Sequence, residues 1–204
     1  MKKPEKIKVV FFDIGNVLLR FDPRGFLRHM AEKTKRPQLL IAKYFWVERI
    51  SDRLERGLLS SKSLFDLLRT KLGYSGQWDE FTAAWCDFSL NRATEEILKK
   101  VAEQKDVYLL SNTNELHFDF IRRNYSFVGR AKGSIVSHEL GLRKPEPAIY
   151  RAALRRAKVR AQQAVFIDDL KENVSAAARL GIRAILYKNP SKLRKKLAEM
   201  DIFA

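Results

Sequence analysis

The chain has 204 residues, a formal net charge of +16 and a single cysteine. This length suits one well-buried core with an inserted subdomain and excludes two large independent domains. No apolar run approaches the roughly 18 residues that a membrane-spanning helix needs. The lone cysteine excludes an internal disulfide framework and a cysteine-based zinc site, which favours a reducing compartment and predicts a cytoplasmic protein.

The first apolar run, near residues 7–13, reads as a buried strand that ends abruptly at Asp13. Further strand-like runs lie near 106–111, 164–168 and 182–187, with a shorter one near 134–137, and amphipathic segments separate them. Alternation of strands and helices is typical of βαβ units. The core is therefore predicted to be an α/β fold, a Rossmann-like doubly wound parallel sheet.

Residues 22–90 follow a different pattern, because their apolar positions recur with helical spacing only. We predict that this range, called the cap segment below, is an all-helical insertion after the first strand. The core would then consist of residues 1–21 and 91–204.

Polar clusters follow three of the predicted strands, and a short proline-containing string, GLRKPEP, adds a lysine. The residues concerned are Asp13, Ser111, Asn112, Lys144, Asp168 and Asp169. In open α/β sheets, ligands bind in the crevice at the carboxyl ends of the strands. Two separated carboxylate clusters, a hydroxyl and one lysine are the groups needed to attack a phosphate ester and to hold a metal that neutralises it.

Four motifs occur in this order: DIGNV at 13–17, LSNTN at 110–114, GLRKPEPAIY at 141–150 and FIDDLKENVSAAARLGI at 166–182. Together they resemble the haloacid dehalogenase (HAD) superfamily, and within it the sugar phosphatases that resemble α-D-glucose-1-phosphatase. The resemblance implies an HAD core with a cap that closes over the active site. It also implies a magnesium-dependent phosphatase that hydrolyses a small phosphorylated metabolite, a sugar phosphate, through an aspartyl-phosphate intermediate.

The resemblance assigns roles to individual residues. Asp13 would be the nucleophile, and Lys144 would pair with both Asp13 and the phosphate. The Ser111 hydroxyl and the backbone amide of Asn112 would bind phosphate oxygens. The alternatives without a catalytic role are a polar turn at 111–114 and an ordinary surface position for Lys144.

Magnesium is the implied cofactor, because this hard ion binds carboxylates together with substrate phosphate. Asp13, Asp168 and the carbonyl of Gly15 would be its ligands, Asp169 would act directly or through water, and Asn173 would orient the acidic pair. A structural alternative makes Asp168 and Asp169 the N-cap of the helix that follows them.

Gly15 departs from the general superfamily pattern. Most phosphatases of the superfamily carry a second aspartate two residues after the nucleophile, where it serves as general acid and base. The proton donor is therefore left unassigned, with Asp22, water and a residue of the cap segment as candidates.

Two other functions stay open. One is a 2-haloacid dehalogenase-like hydrolase, which uses the same nucleophile without metal; the acidic pair argues against it. The other is a weakly active or inactive HAD-fold protein that binds polyanions such as nucleic acid, which Gly15 and the net charge motivate. Because the basic residues lie mostly in helical stretches, solvated helix faces are the simpler explanation of the charge. A small phosphorylated substrate is thus the expected partner, no membrane partner is expected, and the oligomeric state is open.

Overall fold

A computed structural model describes residues 5–202. Its strands are β1 (Val9–Phe12), β2 (Leu19–Phe21), β3 (Phe88–Leu90), β4 (Asp106–Ser111), β5 (Gly133–Val136), β6 (Ala164–Asp168) and β7 (Arg183–Leu186). Five of them form a sheet in the order β5-β4-β1-β6-β7, and every neighbouring pair is parallel. The four residues of β1 are all buried, as expected for a central strand covered on both faces. The predicted parallel α/β sheet is confirmed.

Helices cover both faces of this sheet. They are α6 (Arg92–Ala102), α7 (Glu115–Asn124), α8 (Phe127–Arg130), α9 (Ser137–Leu140), α10 (Pro147–Ala157), α11 (Lys171–Arg179) and α12 (Pro190–Ala198). Helices α1 to α5 precede them in the chain and belong to the cap segment. Val10 and Phe12 pack with apolar side chains of α6, α7 and α12. Val9 and Phe11, which point the other way along β1, pack with α10 and α11. The sheet is therefore doubly wound.

The cap segment holds α1 (Pro23–Thr34), α2 (Gln38–Val47), α3 (Ile50–Glu55), α4 (Ser61–Leu72) and α5 (Trp78–Trp85). These helices enclose an apolar cluster of their own, in which Phe26, Phe81 and Trp85 stack or meet edge to edge. Of all the helices within residues 5–202, none is both long and apolar enough to cross a bilayer.

The prediction that the cap segment is helical throughout is wrong at its end. Helix α5 ends at Trp85, and β3 then pairs antiparallel with β2, with Leu90 opposite Leu19 and Phe88 opposite Phe21. Phe88 and Leu90 are partly buried while Ser89 is exposed, which is the two-residue period of a strand. Three residues are too few for this period to stand out, and the pairing partner lies far away in the sequence.

Candidate active site

The carboxyl ends of three adjacent strands carry the polar residues that sequence analysis selected. Asp13 directly follows β1, Ser111 ends β4 and Asp168 ends β6. Phe12 is in register with Leu109 on one side and with Ile167 on the other. The three ends therefore meet at one edge of the sheet.

Lys144 lies between the two carboxylate clusters. Its Nζ is 2.8 Å from Asp13 Oδ1, 2.7 Å from Asp168 Oδ2 and 3.1 Å from the Leu110 carbonyl oxygen. The side chain is 1% exposed, so the surface alternative for Lys144 is wrong. Burial by itself lowers the pKa of Lys144, but the neighbouring carboxylates outweigh it and raise this pKa above its ordinary value. The ammonium is thus a fixed positive charge between two acids.

Asn112 holds the backbone of Lys144 through a two-way contact. Its Nδ2 donates to the Lys144 carbonyl oxygen at 3.0 Å, and its Oδ1 accepts from the Lys144 amide at 2.8 Å. The side chain of Asn112 therefore anchors the loop that carries the lysine, a role that sequence analysis missed. Ser111 is buried, and its hydroxyl makes only a long contact of 3.5 Å to a backbone carbonyl, so it is free to turn toward a ligand.

Asp13, Asp168 and Asp169 form an acidic cluster in which one oxygen of each lies within 4.8 Å of the others. Asp168 is fully buried, and Asn173 Nδ2 donates to both of its oxygens, at 2.9 and 3.0 Å. Asn173 thus contacts the acid that it was predicted to orient. The N-cap alternative for the pair is wrong, because Leu170 occupies the N-cap of α11.

The cluster holds more negative charge than Lys144 can balance. The pKa of Asp13 is raised to about 7, chiefly by burial; Lys144 opposes this rise and Asp168 adds to it. Burial also raises the pKa of Asp169. A second cation would relieve this excess, and three carboxylates with an exposed backbone at Gly15 are the oxygen donors that a hard divalent ion takes. Magnesium therefore fits these residues.

Asn16 is a further residue that sequence analysis did not assign. Its backbone has a left-handed φ of 53°, a conformation that asparagine adopts more readily than most residues. Its Nδ2 donates to Asp169 Oδ2 at 3.0 Å, so the turn after β1 orients the outermost acid. The signal in the sequence was the pair Gly15-Asn16, which is typical of a tight turn.

A cavity of about 250 Å³ opens at this edge of the sheet, between the core and the cap segment. Its polar lining residues are Gly15, Ser51, Glu55, Ser111, Asn112, Thr113, Asn114 and His117, and its apolar ones are Ile14, Leu19, Phe21, Leu54, Trp85, Phe88 and Ile121. His117 Nε2 donates to the Trp85 carbonyl oxygen at 2.8 Å, and burial lowers the pKa of His117 to about 4. This histidine is therefore neutral near pH 7.

Asp22, one candidate for the missing proton donor, does not line this cavity. Its side chain is 65% exposed and accepts a hydrogen bond from the Arg24 amide at 2.9 Å, as the N-cap of α1. Asp22 thus has a structural role at the start of the cap segment.

Comparison with known proteins identifies a family. A family model described as haloacid dehalogenase-like hydrolase matches residues 7–181. The D-ribitol-5-phosphate phosphatase of Bacteroides thetaiotaomicron is 25% identical over 94% of this chain and 97% of its own length. A sesquiterpene phosphatase of Aspergillus oryzae is 24% identical over 86% of this chain and 87% of its own length. Another curated relative is longer, and the chain spans 36% of it.

Among solved structures, the chain is similar to an HAD family enzyme from Bacteroides thetaiotaomicron, crystallised as the wild-type protein with magnesium and inorganic phosphate. The TM-score is 0.81 at 28% sequence identity, and the match covers 90% of this chain and 95% of that one. The parallel sheet and its helices are thus arranged as in that enzyme.

Proposed function

The chain belongs to the haloacid dehalogenase-like hydrolases, and we propose that it is a magnesium-dependent phosphatase of small phosphorylated metabolites that works through a phosphorylated Asp13. One observation carries the proposal: Asp13, Lys144 and Asp168 form a buried, hydrogen-bonded set beside Asp169 at one edge of the sheet. Burying two carboxylates around one ammonium costs free energy, and ionisable groups in such surroundings cluster at functional sites.

Asp13 is the proposed nucleophile. The Ile14 amide, at 2.7 Å, and Lys144 Nζ, at 2.8 Å, both contact its Oδ1, so we assign attack on phosphorus to Oδ2. The bond from phosphorus to the ester oxygen breaks as the Asp13–phosphorus bond forms, and water then hydrolyses the aspartyl phosphate to release phosphate. Lys144 lowers the pKa of Asp13 against the larger effect of burial, which favours the ionised nucleophile, and neutralises part of the charge on the transferring group.

Ser111 and Asn112 are proposed to bind the phosphoryl oxygens, through the hydroxyl and the backbone amide respectively. Asp13, Asp168, Asp169 and the Gly15 carbonyl are the proposed magnesium ligands, with Asn173 and Asn16 holding the acids in place. When bound, magnesium supplies positive charge that offsets repulsion between the nucleophile and the anionic substrate.

For the substrate we propose first a sugar phosphate. The support is the similarity over almost the full length to a D-ribitol-5-phosphate phosphatase, together with the polar groups that line the cavity.

A second candidate, the phosphate ester of an apolar alcohol, is favoured by a specific observation. Phe21, Trp85 and Phe88 line the cavity on the side of the cap segment, where a leaving group would lie. Aromatic and aliphatic walls stabilise an apolar group by removing it from water. The relative named as a sesquiterpene phosphatase supports the same direction.

The test is turnover of a panel that pairs polyol and sugar phosphates with terpenyl phosphates, with magnesium and after its removal by chelation. We expect hydrolysis only with magnesium, and loss of more than about 10³-fold in Asp13→Asn, because the nucleophile is gone. Asp106→Asn is the matched control. It changes an exposed carboxylate that pairs with Lys132, and the variant should keep full activity. Turnover without metal, or an active Asp13→Asn variant, would refute the proposal.

Assays on the same protein test the two alternative functions. Release of halide from a 2-haloacid would favour the dehalogenase, and salt-sensitive binding of nucleic acid without hydrolysis would favour the polyanion binder. We also propose the cytoplasm as the location, since the single cysteine, Cys86, is unpaired and buried.

A further inference from the structure

We propose that Glu55, at the end of α3, replaces the missing aspartate at position 15 as the general acid and general base. This inference rests on the proposed phosphatase function. It goes beyond that function because it assigns the proton transfers to a residue of the cap segment.

The cavity places Glu55 opposite the catalytic edge of the core. Glu55 lines the same space as Gly15, Ser111 and Asn112. At Gly15 a Cβ would meet nothing within 4 Å, so the volume beside the nucleophile is open from the core side. A carboxylate that enters from the cap segment can therefore reach the space that a side chain at position 15 would fill.

Elimination among the titratable groups also selects Glu55. Of the described residues that line the cavity, it is the one carboxylate. His117 is the other group able to move protons, but its Nε2–H is donated to the Trp85 carbonyl and its pKa of about 4 keeps the ring neutral near pH 7. It cannot supply a proton to a leaving group.

The surroundings of Glu55 suit a residue that alternates between acid and base. Its Oε2 is 2.6 Å from Arg143 Nη2, yet within residues 5–202 this oxygen has no hydrogen bond of normal geometry. Arg143 is shared with Asp52, which its Nη1 contacts at 3.0 Å. Burial raises the pKa of Glu55, with Arg143 and Lys144 opposing the rise and Asp52 adding to it.

The proton inventory balances over the two steps. As Asp13 attacks, the bond from phosphorus to the leaving oxygen breaks, and Glu55 in its acid form gives its proton to that oxygen, so the product leaves as a neutral alcohol. The resulting Glu55 carboxylate then takes a proton from the water that attacks the aspartyl phosphate. Phosphate leaves, and Glu55 is again an acid.

The test compares Glu55→Gln with Asp52→Asn, on an alkyl or sugar phosphate and on p-nitrophenyl phosphate. Glutamine keeps the shape of Glu55 but cannot transfer protons, and Asp52 binds the same Arg143 without lining the cavity. With the alkyl ester we expect Glu55→Gln to lower kcat by about 10²- to 10⁴-fold.

With p-nitrophenyl phosphate, whose leaving group needs no proton, the first step should survive in Glu55→Gln and the second should not. The expected sign is a burst of p-nitrophenol close to one per enzyme, followed by slow turnover and trapped phosphoenzyme. Asp52→Asn should show no burst and stay within about threefold of wild type on both substrates.

Three outcomes would overturn the inference: a Glu55→Gln variant within about fivefold of wild type, equal losses in the two variants, or equal loss of the first step on both substrates. The last two would mean that Glu55 only positions Arg143. Failure of the proposed function looks different, because the wild-type protein would then form no phosphoenzyme with any ester.

Discussion

Stability and catalysis depend on the same atoms at Lys144. Replacing Lys144 with methionine keeps most of the volume but leaves Asp13 and Asp168 buried without their shared cation. We expect the metal-free variant to lose about 3–5 kcal/mol of unfolding free energy, measured by urea denaturation, and to lose turnover. Lys132→Met, which removes an exposed partner of Asp106, should change stability by less than about 1 kcal/mol. A Lys144→Met variant as stable as Lys132→Met would contradict this account of the site.

His117 should make stability depend on pH in a defined window. Its pKa is lowered to about 4 by burial, whereas in the unfolded chain it is about 6.5. Between these values the unfolded state binds the extra proton, so the unfolding free energy decreases as the pH falls from 6.5 to 4 and this contribution is constant below that. The full shift corresponds to at most about 3 kcal/mol, and partial exposure of the ring makes it smaller.

Urea denaturation of wild type and His117→Gln at pH 7 and pH 4.5 measures this effect. The variant should lose less stability on acidification, since glutamine can donate to the same carbonyl but does not titrate. Equal losses in both proteins would show that other groups account for the acid sensitivity.

Single residues were predictable where one side chain carried an unambiguous chemical signal. Asp13, Ser111 and Asp168 each end an apolar run, and the structure brings all three to one edge. The two-way bond between Asn112 and the backbone of Lys144 was not predictable, because it joins two loops whose distance depends on the whole sheet. For the same reason Glu55 had no signal as a site residue until the cap segment lay over the cavity.

At the scale of elements, the start of α1 gives Asp22 a structural role instead of a catalytic one. Asp22 caps this helix through the Arg24 amide, so Asp22→Ala should cost about 1 kcal/mol of unfolding free energy. It should leave kcat unchanged, because the carboxylate does not line the cavity. Thermal or urea denaturation beside a turnover assay measures both quantities. A large fall in kcat with unchanged stability would mean that Asp22 acts as a proton donor.

Periodicity predicted long elements well and short ones poorly. The buried strands β1, β4 and β6 follow from continuous apolar runs, and the helices of the cap segment follow from apolar spacing over many residues. Strand β3 did not, because its three residues gain their identity from pairing with β2 across the whole cap segment. Tertiary pairing, which a local window does not contain, decided that element.

At the scale of the whole molecule, the net charge of +16 should assist capture of an anionic substrate. We expect kcat/KM for a phosphate ester to fall several-fold as NaCl is raised to about 0.3 M, because salt screens the attraction. The value of kcat should stay nearly constant, since the buried site is screened much less. Initial rates over a salt series, with the magnesium concentration held fixed, measure both quantities. A kcat/KM that is independent of salt would mean that the charge serves something other than substrate capture.

The central position of β1 has a consequence for synthesis. Its neighbours β4 and β6 begin at Asp106 and Ala164, so a ribosome makes the middle strand long before either flank exists. The helices between Pro23 and Trp85 share an apolar cluster and can gather while translation continues. The nascent chain therefore carries an unpaired, wholly apolar VVFF strand until β4 has been made, which makes chaperone binding at this strand the expected companion of its biogenesis.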